Sequence, residues 1–275
     1  MSGLAPRRRL IWGGPVILAL TAIAVGAWQL PGGKAERQIR QALLKELRPV
    51  SLKNCSLRRF GSTYDGGYLM CENLIDGLEA AYSYGVGPND EWGCDVSARY
   101  RVPVHQYDCF DPTRPVCETG HFVFHDECIG NRRQNVESRL FDTLANQISR
   151  NGDGGKRLIV KIDVEGAEWD ALMATSDAVL GRIDQLPMEL HGSHERRFLQ
   201  VVRKLKRTFY VVNLHFNNYS CSTETAPFPS RAYQVLLVNK RIGVLDIAAG
   251  TPSASALNAP DDPQMPDCQL NLPVR

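Results

Sequence analysis

The chain carries almost no net charge. Its 32 Lys+Arg against 30 Asp+Glu leave +2, and no long basic stripe interleaved with aromatics runs through it, so it has no nucleic-acid footprint. It has no disorder-type bias either: hydrophobic residues make up 43% and charged residues 23%, as in an ordinary globular protein. No internal repeat is visible. No paired C-x-x-C spacing is present, so the eight cysteines do not read as zinc ligands. Finally, no charged residue occurs between Leu10 and Leu30.

That last absence is informative. A helix over Leu10–Leu30 would span about 30 Å, the thickness of a bilayer core. Arg7, Arg8 and Arg9 precede it. Basic residues before the span predict a single-pass signal anchor at 10–30, residues 1–9 in the cytosol, and the rest lumenal or extracellular. The alternative is a cleaved signal peptide with Val16–Ala27 as its apolar region, which exports the same residues as a secreted protein. All eight cysteines (Cys55, Cys71, Cys94, Cys109, Cys117, Cys128, Cys221 and Cys268) follow the span. This predicts disulfides in an oxidising compartment, with buried free thiols as the alternative; the pairing is left open.

Beyond the span, Pro31-Gly32-Gly33 predicts a helix break. Residues 31–50 then form an amphipathic stalk, with Ile39, Leu43 and Leu47 on one face. From 51 to 245, strand and helix signals alternate. Strands are expected over Glu79–Tyr84, Val102–Phe110, His121–His125, Arg157–Val164, Ile183–Leu190, Tyr210–Phe216 and Tyr233–Val238. Helices are expected after an Asn89 cap and over Asn135–Ser149, Glu165–Ala174 and His194–Thr208. The fold class is therefore α/β, a doubly wound Rossmann-like sheet. Residues 246–275, rich in proline and alanine, form an irregular tail.

Ligands of such sheets bind beyond the carboxyl ends of the strands. Gly85-Val86-Gly87 follows the first strand of the alternation, where glycines permit a tight turn and close backbone approach. Asp111 ends the next strand, placed to accept ribose hydroxyls; Asp108 is the competing carboxylate, which alternation would put on the other face. Asp90, in place of a third glycine, makes the following helix start acidic. That disfavours a pyrophosphate and suits the zwitterionic end of S-adenosylmethionine, so this cofactor is expected over NAD. Asp163, Glu165 and Glu168 crowd a strand-to-helix junction, and like charges this close need partners. Glu168 suits a plain helix-dipole role.

Lys161 to Glu168 reads KIDVEGAE, which resembles the signature of the FkbM-type methyltransferases. RRFGSTYDGGYLMC (Arg58–Cys71), YSYGVG (Tyr82–Gly87) and FDPT (Phe110–Thr113) resemble the narrower group that includes the animal methyltransferase-like protein 24. The likeness is collinear over about 55–240. It implies a class I methyltransferase sheet, S-adenosylmethionine as donor and O-methylation. By position, it implies Gly85 and Gly87 at the methionine end, Asp111 on the ribose, and Asp163 and Glu165 bordering the transfer site. No acceptor is implied; topology suggests a glycan or small molecule.

Two more strand ends bring Glu189-Leu190-His191 and His215-Phe216-Asn217-Asn218. Converging with Asp163, they would supply a base for an acceptor hydroxyl, with His191 and His215 as the candidates. No metal is expected: Asp163, Glu189 and a histidine could hold a divalent cation, but no ligand-spacing motif supports one. A type II membrane glycosyltransferase, in which Asp163-Val164-Glu165 would bind metal, and a catalytically silent binding module are the rival readings.

Overall fold

The computed structural model describes residues 31–268. The expected anchor at 10–30 and the basic segment before it lie outside the described residues. Among the described residues, no helix is long and apolar enough to cross a membrane.

In chain order the elements are α1 (Pro31–Glu46), β1 (Leu57–Phe60), β2 (Tyr68–Cys71), β3 (Ala80–Tyr84), α2 (Glu91–Tyr100), β4 (Pro103–Tyr107) and β5 (His121–His125). Then come β6 (Cys128–Ile129), β7 (Gln134–Val136), β8 (Arg139–Asp142), α3 (Leu144–Arg150), β9 (Leu158–Ile162), α4 (Glu168–Ala174) and α5 (Asp177–Leu180). The chain closes with β10 (Ile183–His191), α6 (Arg196–Thr208), β11 (Phe209–Phe216) and β12 (Ala232–Asn239). Seven strands form one sheet in the order β11-β12-β10-β9-β3-β4-β5. β5, β4, β3, β9 and β10 run parallel, while β12 is antiparallel to both β10 and β11. β3 and β9 are neighbours, and the chain order reverses between them, so the switch point of the sheet lies there. The α/β sheet expected from the alternation is present.

Both faces are covered. On one, Tyr82, Val160, Ile162, Leu186 and Met188 pack against α1, α3, α4 and α6 through Leu43, Leu144, Trp169, Phe198 and Val201. On the other, Ala81, Ile159, Leu236 and Val238 meet Phe60, Met70, Trp92 and Val96 from β1, β2 and α2. Parallel strands buried on both faces explain the continuous apolar run Leu158-Ile159-Val160.

α1 begins at Pro31, as proline is tolerated in a helix's first turn, and Leu43, Leu44 and Leu47 sit in the main core, so this amphipathic helix packs on the domain. Two local expectations are corrected. The residue capping α2 is Asp90, not Asn89: its Oδ1 accepts from Gly93 N at 2.8 Å and its Oδ2 from Gln106 Nε2 at 2.8 Å. The helix expected over Asn135–Ser149 is only Leu144–Arg150, capped by Thr143. Left-handed Glu137 (φ 48°) and Ser138 (φ 67°) turn the preceding residues into the β7–β8 hairpin.

All eight cysteines pair: Cys55–Cys71, Cys94–Cys117, Cys109–Cys128 and Cys221–Cys268. The last ties the tail to the loop after β11. The tail crosses that edge, where Asn258 Oδ1 accepts from Asn213 Nδ2 and Asn218 Nδ2 donates to the Asp262 and Met265 carbonyls.

Candidate functional site

The carboxyl ends of β3, β9 and β4 meet at one point. Gly85 has φ +71°, and a Cβ there would lie 1.6 Å from the Asp163 carbonyl oxygen, so only glycine fits. Lys161 fixes the turn by donating to the Tyr84 and Gly85 carbonyls at 3.3 and 2.7 Å. Asp108 holds it from the other side. Its Oδ2 accepts from Val86 N and Gly87 N at 3.1 and 3.0 Å, and its Oδ1 from Phe110 N and Asp111 N at 2.9 and 3.0 Å. β4 ends at Tyr107, so strand alternation does not extend to Asp108. Asp111 sits farther out and is partly exposed. The Thr113 hydroxyl and backbone N–H hold its carboxyl below the ordinary carboxylate range.

Beside this turn lies a cavity of about 270 Å³. Its walls are largely apolar, from Tyr107, Phe110, Ile129, Phe141, Val164 and Ala167, with Gly85, Asp108, Asp163 and Glu165 at its polar end. Asp111 does not line it. A second cavity of about 830 Å³ opens on the far side of Asp163 and Glu165 and is lined also by Asp65, Glu189, His191, Asn217 and Tyr219. Asp163 and Glu165 line both. A chamber of this size falls within the ~300–1,000 Å³ usual for small-molecule sites.

The chemistry-bearing groups cluster at this shared wall. His191 Nε2 lies 4.0 Å from Asp163 Oδ1, 3.6 Å from Glu189 Oε1 and 3.3 Å from Glu165 Oε2. The other ring nitrogen, Nδ1, lies 3.3 Å from Glu168 Oε1, which also accepts from His191 N at 2.7 Å. Glu168 is fully buried, so the helix-dipole role expected for it is incomplete: it orients His191. Burial works against the imidazolium, but Glu168 first, then Glu189 and Glu165, more than offset this and raise the His191 pKa. Glu189 is 4% exposed. Burial first, then Asp163 and Asp261, push its carboxyl well above the ordinary range. Asn217 Nδ2 donates to its Oε1 at 3.0 Å, and the Tyr68 hydroxyl donates to Asp163 Oδ2 at 2.8 Å.

Asp163, Glu165, Glu189 and His191 are thus brought together, with Gly85 adjacent. Gly87 completes the turn, with nothing within 4 Å of a Cβ built on it. His215 does not join them. It pairs across the sheet with Gln234, which pairs with Glu189, so β12 keeps it two strands, roughly 10 Å, from β10. It lines a separate groove of about 840 Å³ under the tail, with its Nε2 3.7 Å from Asp267 Oδ1. Burial lowers its pKa. Pattern reasoning did not single out Tyr68, read Glu168 as a helix-dipole acid, and gave Asn217 no role of its own. Tyr68 and Glu168 fall within the segments carrying the family resemblance, and Asn217 within the strand end already singled out.

No protein-family model and no curated protein matches the chain.

Proposed function

We propose that this chain is an S-adenosylmethionine-dependent methyltransferase acting on a hydroxyl of a glycan or small molecule, with a class I methyltransferase sheet. The observation that carries this reading is the pair of cavities at the switch point, one small and apolar, one large and polar, sharing Asp163 and Glu165 as a common wall. A donor and an acceptor in such chambers meet at that wall, and in-line placement is most of what methyl transfer requires.

The donor fits the smaller side. Tyr107, Phe110 and Phe141 offer apolar surface for an adenine. The Gly85–Gly87 turn gives close backbone approach. The acidic α2 start, with Asp90 buried as its cap, offers no phosphate cradle. Asp108 holds the turn, and Asp111, on the same loop beyond the cavity's lining, is the carboxylate assigned to the ribose. Asp163 and Glu165 face the methionine end. When bound, S-adenosylmethionine supplies an electrophilic methyl group. The acceptor hydroxyl gives up its proton as the new bond forms. Asp163, Glu189 and His191 are the groups that receive that hydroxyl and its proton.

The uncharged 10–30 stretch and the four disulfides support an anchored or exported catalytic domain in an oxidising compartment. The test is calorimetric titration with S-adenosylmethionine and S-adenosylhomocysteine. Micromolar binding, weakened in Asp111→Ala, supports the reading. A folded protein that binds neither overturns it, and UDP-sugars with manganese then test the glycosyltransferase alternative.

A further inference from the structure

Four carboxylates, Asp163, Glu165, Glu168 and Glu189, lie within 4.0 Å of a single imidazole. Lys161 is committed to the Tyr84 and Gly85 carbonyls. Glu168 and Glu189 are buried, and a buried carboxyl needs a proton, a hydrogen-bond partner or a metal. Among the described residues, Asp163, Glu189 and His191 are the group whose potential ligand atoms all lie within 4.8 Å of one another. Ligand atoms around a cation with bonds of about 2.0–2.2 Å sit roughly 3–4.4 Å apart, so small side-chain rotations would close the set.

A second observation is independent of that proximity. Each of the three is held by a partner outside the group, and for Asp163 and His191 this leaves one atom toward the common point. Tyr68 takes Asp163 Oδ2 and leaves Oδ1. Glu168 takes His191 Nδ1 and leaves Nε2. Asn217 donates to Glu189 Oε1, the oxygen 3.6 Å from His191 Nε2, and this carboxylate, 4% exposed and lining the chamber, takes no other side-chain amide among the described residues. Outer partners that fix ligand orientation are characteristic of metal sites.

We propose that Asp163, Glu189 and His191 bind one divalent cation of the Mn²⁺ or Mg²⁺ class at the floor of the larger chamber. Two carboxylates and an imidazole suit such an ion. Three protein ligands leave coordination positions open toward the chamber for acceptor oxygens. That role for the ion rests on the methyl-transfer reading; the binding itself does not.

The experiment titrates the full chain, stripped of metal with chelator, with Mn²⁺ followed by electron paramagnetic resonance. One ion per chain at micromolar affinity is expected, with Mg²⁺ competing. Glu189→Gln and His191→Gln should each weaken binding at least tenfold, and Glu224→Gln, at the chamber rim, should leave it unchanged. Two substitutions on separate ligands guard against one misfolded variant, and near-ultraviolet circular dichroism checks each. Absence of saturable binding below millimolar Mn²⁺, or binding equal in wild type and both ligand variants, overturns the proposal. S-adenosylmethionine binding is measured separately in chelator, so donor binding together with no saturable Mn²⁺ binding sinks this inference alone. Ion binding without donor binding sinks only the methyltransferase reading.

Discussion

Asp108 and Glu189 are both carboxylates at the carboxyl ends of strands, yet they live differently. Asp108 accepts four backbone N–H groups, two on each oxygen. Glu189 is more deeply buried and accepts one side-chain amide. Asp153, beside β3 and β4, resembles Asp108. It takes the Tyr82 hydroxyl at 2.7 Å, and lies 3.2 Å from His105 Nε2 and 2.6 Å from the Lys156 ammonium. A satisfied buried carboxylate builds structure. One left with capacity is costly to keep, and its persistence at a cavity floor points to a ligand.

The largest effect that sharpens this contrast is on stability. Asp153→Ala strands Tyr82, His105 and Lys156 together and should cost about 3 kcal/mol, lowering Tm by several degrees without altering donor affinity. Next is Asp108→Ala, which releases the Val86 and Gly87 N–H groups from their anchor. Losing those charge-assisted bonds should weaken S-adenosylmethionine binding tenfold or more, about 1.4 kcal/mol, and more than Asp111→Ala does. Equal effects from both variants would mean that the turn is held by Lys161 alone.

How far the sequence reached follows from the same distinction. The sheet was legible because its strands, buried on both faces, are apolar runs separated by helical periodicity. Asp163, Glu165, Glu189 and His191 were legible because each sits at a strand end or the turn beyond it, where such sheets bind ligands. His215 followed the same rule and failed, because a strand end says nothing of which strand lies between: β12 enters the sheet between β10 and β11, with Gln234 separating the two histidine-bearing ends. Glu168 was read as a dipole acid, since its link to His191 is a contact across 23 residues. Asn135–Ser149 was misread because a left-handed pair, Glu137-Ser138, carries no glycine to announce the turn.

A smaller effect concerns pH. His105 is packed between Tyr82 and His125, with Asp153 on Nε2 and Lys156 beyond it. Burial, only partly countered by Asp153, pushes its pKa down to about 4, against about 6.5 in the unfolded chain. Above pH 6.5 neither state carries the proton and this residue adds no pH dependence. As pH falls from 6.5 toward 4, the unfolded state gains a proton that the folded state refuses, so stability is lost. Between pH 7 and 5 the Tm should fall by a few degrees more in the wild type than in His105→Gln. An equal fall in both would place the acid sensitivity elsewhere, with His125 the next group to test.

The smallest expected effect is the most discriminating. Glu189→Gln keeps the shape of the side chain and an oxygen for the Asn217 amide, and removes an ionisable carboxyl that faces Asp163. A carboxyl that burial and Asp163 already push toward its neutral form loses little when a neutral amide replaces it. In chelator, its Tm should therefore lie close to that of wild type. If Tm falls by several degrees instead, Glu189 is a structural carboxylate like Asp108, held in place by His191 as its counter-ion, and the distinction between the two carboxylates fails. If Tm holds while Mn²⁺ no longer raises it, as binding to the folded state alone must do in wild type, the carboxylate is there for what it binds.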